Sequence, residues 1–530
     1  MTVQRVPVLV VGGSLVGLST SLLLASRGVA HLLVERHRGT AIHPRAASFH
    51  QRTMEIFRGL GMQEAVEAAA AREFVQNGAI MAVESLGGKE LQYFFRSYNA
   101  GVEHLSPTPR IFLTQVGLEP LLRERAAALG ADHRFGAELV SFEQDDEEVR
   151  CVIRSREGGD EQTVAATYLV AADGAHSSVR ARLGIEMTGR GRFADCVTIY
   201  FKADVRDLIG QRNLSVVYVN NPALLGFFRF SITADSGFLA VFSTTAPDGT
   251  LDRQVGRDMS EWRCADLVRT ALGAPDLPVE IDNVQRWDAA AGCAARYRAG
   301  RVFLAGDAAH VMPPTGGFGG NTGVADVHNL AWKLAMVLDG VAGPGLLDSY
   351  AAERAPIGAL TVEQAYTRYV LRVDPSLSGD DLAAPVNDPL IELGAVYRSA
   401  AVVATTAGAE LEDPGAPSGR VGTRAPHVPI EVDGKPASTV DLVGPGFALL
   451  SGTDGEAWCR AAAEAADALG VPLSTHRVAD PAGRFAATYG LSPAGAVLLR
   501  PDGVIAWRGN QPTPTARTEL HTVLRTILDR

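Results

Sequence analysis

The sequence predicts an α/β protein in which a Rossmann-like domain is interrupted by an antiparallel β-sheet and followed by a smaller α/β domain. Three observations carry this prediction. A glycine-rich turn joins a buried strand to a helix at residues 12–17, β-branched and aromatic runs follow one another from 197 to 245, and a Pro- and Gly-rich stretch begins at 413 before a last set of apolar segments. A chain of 530 residues is also too long for one compact core, so several domains are expected.

Composition predicts a chain that folds throughout and binds neither nucleic acid nor a membrane. Hydrophobic residues make up 46% and charged residues 21%, which is ordinary for a globular protein. The net charge is -11 and there is no dense run of Lys and Arg, so a phosphate backbone would not be attracted. The five cysteines lie too far apart for a disulfide framework or a metal motif, so we expect no metal site and a cytoplasmic location.

The glycine-rich turn near the start predicts a diphosphate-binding loop. Residues 6–11 have the pattern of a buried parallel strand, and residues 15–27 have that of a helix. The turn between them matches the GxGxxG dinucleotide fingerprint except at its second glycine, where Ser14 stands. A serine hydroxyl is small and could itself hydrogen-bond a phosphate oxygen. The candidate loop residues are Gly12, Gly13, Ser14, Leu15, Val16 and Gly17.

An acidic residue at the end of the next strand extends this site. Glu35 follows the apolar segment 31–34 and lies eighteen residues after Gly17 (35 − 17). An acidic side chain at that place accepts hydrogen bonds from an adenosine ribose. With Arg36 beside it, the turn and Glu35 predict a dinucleotide that has a free ribose, either NAD or FAD.

A motif far downstream favours FAD. Residues 301–310 read Arg-Val-Phe-Leu-Ala-Gly-Asp-Ala-Ala-His, so Asp307 follows an apolar strand. The segment resembles the GD motif of the class A FAD-dependent aromatic hydroxylases, whose fold is that of para-hydroxybenzoate hydroxylase. In that family the aspartate binds the ribitol chain of FAD, and Asp307 is the matching residue. An acceptor at the end of a buried strand can bind hydroxyls that FAD has and NAD lacks.

The glycine run after the GD motif predicts contacts with the flavin ring. Glycines let the backbone lie against a flat ring, and a helix expected over 326–338 would point its partly positive N-terminus toward an anionic reduced flavin. The predicted contacts are Pro314, Gly317, Gly319, Gly320 and Asn321.

Residues 168–180 resemble the DG motif of the same family, which is associated with FAD and NADPH. Asp173 and Arg180 are its polar members, and a helix cap is a compatible reading for Asp173. Arg45 and Gln115 match family positions that contact the flavin or its pyrophosphate. A surface salt bridge or a helix cap is the alternative for each of these two.

The resemblance implies three domains over nearly the whole chain. The FAD-binding domain would comprise 1–75, 107–183 and 284–361, and the substrate-binding sheet with its helical cover would comprise 76–106, 184–283 and 362–412. Residues 413–530 resemble a thioredoxin-like domain, with a strand at 447–450, a helix near 456–469, a strand at 471–478 and a hairpin around 501–503. Thioredoxins need two cysteines at the helix start, whereas this region has only Cys459, so disulfide exchange is not expected. A structural role or a subunit contact is expected instead, and an oligomer is possible.

The implied activity is an FAD-dependent, NAD(P)H-consuming monooxygenase reaction. Reduced flavin would react with dioxygen to give a hydroperoxyflavin, which hydroxylates a bulky, polycyclic polyketide-type aromatic substrate. The inserted sheet would provide the substrate pocket, with Phe228 and Tyr369 as candidate contacts and Arg372 as the candidate catalytic cation. Baeyer–Villiger insertion next to a ketone, and an FAD-dependent reductase or dehydrogenase that does not activate dioxygen, are the alternatives.

Overall fold

The computed structural model describes residues 3–42, 47–246, 248–403, 408–480 and 482–530. Its strands are β1 (Gln4–Val11), β2 (His31–Glu35), β3 (Ala79–Val83), β4 (Glu90–Phe95), β5 (Asp132–Phe135), β6 (Ala137–Gln144), β7 (Val149–Ser155), β8 (Glu161–Ala171), β9 (Met187–Lys202), β10 (Leu214–Asn220), β11 (Leu224–Phe230), β12 (Ser236–Thr245), β13 (Leu251–Asp252), β14 (Glu280–Ala294), β15 (Arg298–Ala299), β16 (Val302–Leu304), β17 (His310–Val311), β18 (Pro429–Val432), β19 (Lys435–Ser438), β20 (Phe447–Ser451), β21 (Leu473–Arg477), β22 (Ala496–Leu499) and β23 (Ile505–Gly509).

Its α-helices are α1 (Leu15–Ala25), α2 (Gln51–Gly59), α3 (Gln63–Glu73), α4 (Gln115–Ala128), α5 (Ser178–Arg182), α6 (Arg206–Ile209), α7 (Glu261–Leu272), α8 (Phe318–Leu338), α9 (Asp348–Arg372), α10 (Asp388–Leu393), α11 (Glu456–Leu469), α12 (Arg484–Thr488) and α13 (Ala516–Ile527).

The first sheet brings the three sequence motifs to one edge. Its central order is β15-β16-β8-β1-β2-β5, and β1 runs parallel to both β2 and β8, while β16 runs parallel to β8. Both faces are covered, which is why these strands are continuous apolar runs. Because parallel strands end at the same edge, the residues that follow β1, β2, β8 and β16 converge there.

The second sheet is the predicted inserted one, and its two faces differ. The four runs expected to be strands form β9, β10, β11 and β12, which pair antiparallel as β9-β12-β11-β10, while β3 adds parallel to β10. One face packs on α7, and the other packs on α9. The face toward α9 is called the site-facing side below.

The C-terminal sheet has the order β21-β20-β22-β23, in which β20 and β21 are parallel and the other pairs are antiparallel. Helices α11 and α13 pack against each other and against this sheet. The predicted thioredoxin-like domain is therefore confirmed. Cys459 lies in the first turn of α11, and its Sγ is 3.3 Å from the hydroxyl of Ser451.

Buried ion pairs join the C-terminal domain to the helices behind the first sheet. Glu353 of α9 accepts from Lys333 of α8 at 2.9 Å and from Arg500, after β22, at 2.5 Å. Arg500 also donates to Asp502 at 2.5 Å. These charges are buried but mutually neutralised, and the loss of one partner would leave another unpaired.

Among the described residues, no helix is long and apolar enough to cross a membrane.

Candidate active site

The first turn is built so closely that side chains are excluded at its glycines. Gly12 has φ +106, and a Cβ there would overlap the carbonyl oxygen of Ala172. A Cβ at Gly13 would lie 2.6 Å from the Cβ of Glu35, and one at Gly17 would overlap the carbonyl oxygen of Gly12. The backbone amides therefore have a surface that another backbone or a diphosphate can approach.

Glu35 closes this turn from the neighbouring strand. Its carboxylate accepts from the amide of Gly13 at 2.6 Å and from the amide of His37 at 2.8 Å. The side chain thus stands at the carboxyl end of β2, next to the turn, as the ribose role requires. Arg36 follows with an exposed side chain, and its carbonyl accepts from Arg156 at 3.3 Å.

Ser14 uses its hydroxyl within the protein. The Ser14 hydroxyl donates to Glu119 at 2.8 Å, the Leu15 amide donates to the same oxygen at 2.9 Å, and Gln115 donates to it at 3.2 Å. The other oxygen of Glu119 accepts from Ala41 at 2.7 Å. Burial raises the pKa of Glu119. Sequence reasoning missed Glu119, although its spacing of four from Gln115 on a helix was a usable signal.

The turn that carries Asp307 packs directly against this loop. Asp307 follows β16 with an exposed side chain, and Gly306 before it has φ +59. A Cβ at Gly306 would lie 2.8 Å from Val16, and one at Gly323 of α8 would lie 2.5 Å from Val16. The GD turn and α8 therefore both pack against Val16, a side chain of the GxGxxG-like turn.

Asp326 holds the GD turn in place, and sequence reasoning missed it. Its Oδ2 accepts from the Gly306 amide at 3.1 Å and from His310 Nε2 at 2.7 Å, and its Oδ1 accepts from Arg354 at 2.8 Å. Burial opposes ionisation of Asp326, but His310 and Arg354 outweigh it and hold the pKa below its usual value.

The DG motif is tied to the same turn. Asp173 Oδ2 accepts from the Val179 amide at 3.2 Å, in the first turn of α5, whose N-cap is Ser177, while Asp173 Oδ1 is buried and has no hydrogen-bond partner among the described residues. Arg180 donates to the carbonyl of Ala308 at 3.0 Å. One carboxylate oxygen of Asp173 can therefore support the start of α5, while the other remains able to accept from a ligand hydroxyl.

Helix α8 begins inside the glycine run, eight residues earlier than predicted (326 − 318). Gly317, with φ +69, is its N-cap and donates to the carbonyl of Pro314 at 3.0 Å. Asn321 donates to the carbonyl of Ser48 at 2.9 Å and accepts from the His50 amide at 2.9 Å. Gly319 has open space around it except for Met312 at 3.7 Å from a built Cβ. The predicted Arg45 lies outside the described residues.

A row of aromatic side chains crosses the site-facing side of the second sheet. The ring centroids of consecutive members are 5.6, 5.7, 5.8 and 5.9 Å apart. We call these side chains the aromatic row: Phe94, Tyr218, Phe227, Phe242 and Trp287. Its members come from β4, β10, β11, β12 and β14, so the row is several strands wide.

The three predicted substrate residues are placed differently. Arg372, at the end of α9, has its guanidinium 5.0 Å from the ring of Phe94. Tyr369 is on the site-facing side but is 1% exposed, packed on Phe193 and Phe242. Phe228 is on the opposite face, stacked on Phe230 in the core against α7. Because side chains alternate along a strand, its neighbour Phe227 faces the site instead.

The residues present fit FAD. Glycines exclude side chains where a diphosphate would approach, Glu35 and Asp307 are acidic groups at the carboxyl ends of β2 and β16, and Asp173 has a buried acceptor without a partner among the described residues. All three carboxylates lie at the edge where the first sheet's parallel strands end.

Comparison with known families agrees with this arrangement. Residues 5–365 match the family described as FAD binding domain, and residues 418–530 match the family described as aromatic-ring hydroxylase, C-terminal.

Individual proteins are similar over the full chain. A 4-methyl-5-nitrocatechol 5-monooxygenase of a Burkholderia species is 49% identical, with 99% of this chain and 98% of that protein covered. Aklavinone 12-hydroxylase of Streptomyces purpurascens is 40% identical, with 100% of each covered. The crystal structure of aklavinone-11 hydroxylase in ternary complex with FAD and aklavinone superposes with a TM-score of 0.93 at 40% identity, over 100% of both chains.

Proposed function

Because the chain belongs to the family of FAD-dependent aromatic-ring hydroxylases, which consume NAD(P)H and dioxygen, we propose that it hydroxylates a polycyclic phenol held against the partly exposed members of the aromatic row. The enzyme is a flavin-dependent monooxygenase. We also propose a cytoplasmic location, since all five cysteines are unpaired.

FAD, when bound, supplies the activation of dioxygen. In this proposal the first turn holds the diphosphate, Glu35 accepts from the adenosine ribose and Asp307 accepts from the ribitol chain. The N-terminus of α8 would stabilise negative charge on the flavin, because the partly positive end of a helix dipole lies there. Gln115 and Glu119 hold the first turn in shape from α4.

The aromatic row is the observation that supports a polycyclic substrate. Its partly exposed members Phe94, Phe227 and Trp287 are spread over the width of several strands, which is more apolar surface than one benzene ring can cover. Tyr369 supports the row from α9. Arg372 contributes a cation at the Phe94 end and would bind a polar substituent of the substrate there.

A smaller substrate is the second candidate, because the nitrocatechol monooxygenase is more similar in sequence to this chain than the two aklavinone hydroxylases are. Catechols have one ring and two hydroxyls. They would occupy part of the row and leave the rest exposed to water, so we expect weaker binding for them than for a fused-ring phenol.

The test measures oxygen transfer directly. Holoenzyme with NADPH and isotopically labelled dioxygen is given alizarin, 4-nitrocatechol and 4-hydroxybenzoate in separate reactions, and the products are analysed by mass spectrometry. We expect one labelled oxygen atom in hydroxylated alizarin and the highest kcat/KM for that substrate.

Three other results would contradict parts of the proposal. If labelled oxygen appears only in the product of 4-nitrocatechol, the substrate of the enzyme has a single ring. A ring-expanded ester from a polycyclic ketone would assign Baeyer–Villiger insertion. NADPH oxidation without label in any product would argue against oxygen transfer to these substrates.

Phe94→Ala should raise KM for alizarin more than for 4-nitrocatechol, with Leu91→Ala, an exposed residue of the same strand, as the matched control.

A further inference from the structure

Arg229 is a buried cation on β11 that pairs with no carboxylate in the part of the chain that the structure describes. Its side chain is 5% exposed. Within the described part of the chain six other Arg and Lys side chains are buried, and each pairs with a carboxylate; they are Arg110, Lys333, Arg354, Arg368, Arg424 and Arg500. A buried charge is destabilising unless it is paired, so Arg229 requires a separate explanation.

The immediate surroundings of Arg229 are aromatic. Its guanidinium lies 4.3 Å from the ring centre of Phe112 and 5.1 Å from that of Phe74. One terminal nitrogen donates to the carbonyl of Ala47, whereas the buried Nε donates to no acceptor among the described residues. The two rings pack against the guanidinium and leave its hydrogen-bonding capacity unused.

The cation persists at neutral pH despite its burial. Burial lowers the pKa of Arg229 only to about 10, and the groups that oppose this through their charges are Tyr98, Tyr218 and Glu73. The Glu73 carboxylate is already engaged, because it accepts from the amide and the hydroxyl of Thr114 at 2.8 and 3.0 Å. An anion brought to Arg229 from outside would therefore be the first to pair with it.

Arg229 lies between the aromatic row and the start of α8. It follows Phe227 by two residues, so both side chains are on the site-facing side of β11. Ser48, next to Ala47, accepts from Asn321 of α8 at 2.9 Å and has its hydroxyl 2.7 Å from that of Tyr98. An aromatic ring lying on the row and reaching the start of α8 would pass Arg229.

We propose that Arg229 binds the ionised oxygen of the substrate phenol, so that the enzyme selects compounds that bind as phenolates, such as catechols and hydroxyquinones. This inference rests on the proposed function. On binding, the phenol O–H bond breaks and its proton leaves to water, while Arg229 stays protonated. The phenolate is richer in electrons at its ortho and para carbons than the phenol is, and this favours transfer of an electrophilic oxygen atom to them.

The test is an equilibrium titration that requires no turnover. Oxidised holoenzyme is saturated with 4-nitrocatechol or alizarin, whose absorbance reports ionisation, and the pKa of the bound probe is measured. We expect the parent to lower the probe's pKa by at least one unit, which is tenfold in the ionisation constant. R229M should abolish the shift, and R229K should keep part of it because the charge is retained.

R372M is the matched control, because the guanidinium of Arg372 lies 5.0 Å from the ring of Phe94, at one end of the aromatic row. R372M should weaken binding yet keep the shift in the probe's pKa. Loss of the shift in R372M with retention in R229M would overturn the proposal. The proposal would also be overturned if the parent enzyme does not lower the pKa of either probe. The same holds if R229M changes the reduction potential of the flavin and leaves the pKa of the bound probe unchanged.

A second measurement separates binding from structural support. Methionine has about the length of the arginine stem and no charge, so R229M should unfold at the same temperature as the parent holoenzyme or a higher one. A large fall in the unfolding temperature together with a retained shift in R229K and R229M would show a structural role. The labelled-oxygen experiment is independent, since an enzyme can bind a phenolate through Arg229 and still transfer no oxygen.

Discussion

Replacing Asp326 with asparagine tests whether the GD turn is held by a buried charge. The carboxylate accepts three hydrogen bonds, from Gly306 at 3.1 Å, His310 at 2.7 Å and Arg354 at 2.8 Å, and it is fully buried. Asparagine keeps the size but loses the charge, and its amide nitrogen donates where an acceptor is needed. Arg354 would then be left with only neutral partners, the hydroxyl of Tyr397 at 2.8 Å and the carbonyl of Thr322 at 3.2 Å.

The expected loss follows from breaking one partner of a buried pair, which destabilises a protein by about 3 to 5 kcal/mol. The substitution also frees the Gly306 amide in the GD turn. We therefore expect FAD binding to weaken by roughly 1 kcal/mol, which is several-fold in Kd. Thermal unfolding of apoprotein and FAD titration followed by flavin fluorescence measure the two effects. Asp307→Asn is the matched control on the same turn and should leave the unfolding temperature of the apoprotein unchanged. A parental unfolding temperature in Asp326→Asn would refute the reasoning.

The same carboxylate predicts a pH dependence. His310 and Arg354 hold the folded-state pKa of Asp326 below the ordinary 3.8 despite burial. Its contribution to stability is therefore complete above the unfolded-state pKa and is lost as the pH falls through the lower folded-state value. The stability difference between the parent and Asp326→Asn should therefore shrink as the pH falls from 5 into stronger acid.

Three further substitutions test the remaining site assignments. Asp307→Ala should weaken FAD binding by about 2 to 4 kcal/mol, or roughly thirty- to a thousandfold, with the apoprotein's unfolding temperature kept; a turn aspartate without a ribitol role would show the reverse. Glu35→Ala should lower FAD affinity by about 1 to 3 kcal/mol in the same fluorescence titration, and unchanged affinity would remove Glu35 from the site. Cys459→Ser should leave kcat unchanged, because a lone cysteine cannot cycle as a dithiol; loss of turnover in a folded variant would mean that the C-terminal domain takes part in the reaction.

Local patterns predicted the elements well and their faces poorly. The apolar runs of β9 to β12 were identified, because β-branched and aromatic residues crowd there. The run Leu-Gly-Phe-Phe-Arg-Phe in β11 has phenylalanines on both faces of the strand, however, so alternation did not reveal that Phe227 rather than Phe228 faces α9. The early start of α8 was missed because its glycines lower helix propensity, although Gly323 is needed for close packing on Val16.

The sequence by itself determined the turns and their chemistry. Glycines at 12, 13 and 17, the acid at the end of β2, and the Gly-Asp pair after β16 follow local rules of backbone conformation, so they can be read without knowing the fold. Only the tertiary structure decided the roles of Glu119, Asp326 and Arg229. Glu119 bonds Ser14 across 105 residues of chain, Arg229 bonds Ala47 across 182, and the partners of Asp326 come from three different elements. Such pairings arise when strands end at a common edge and helices pack over it, and no short stretch of sequence records which distant group a buried charge will meet.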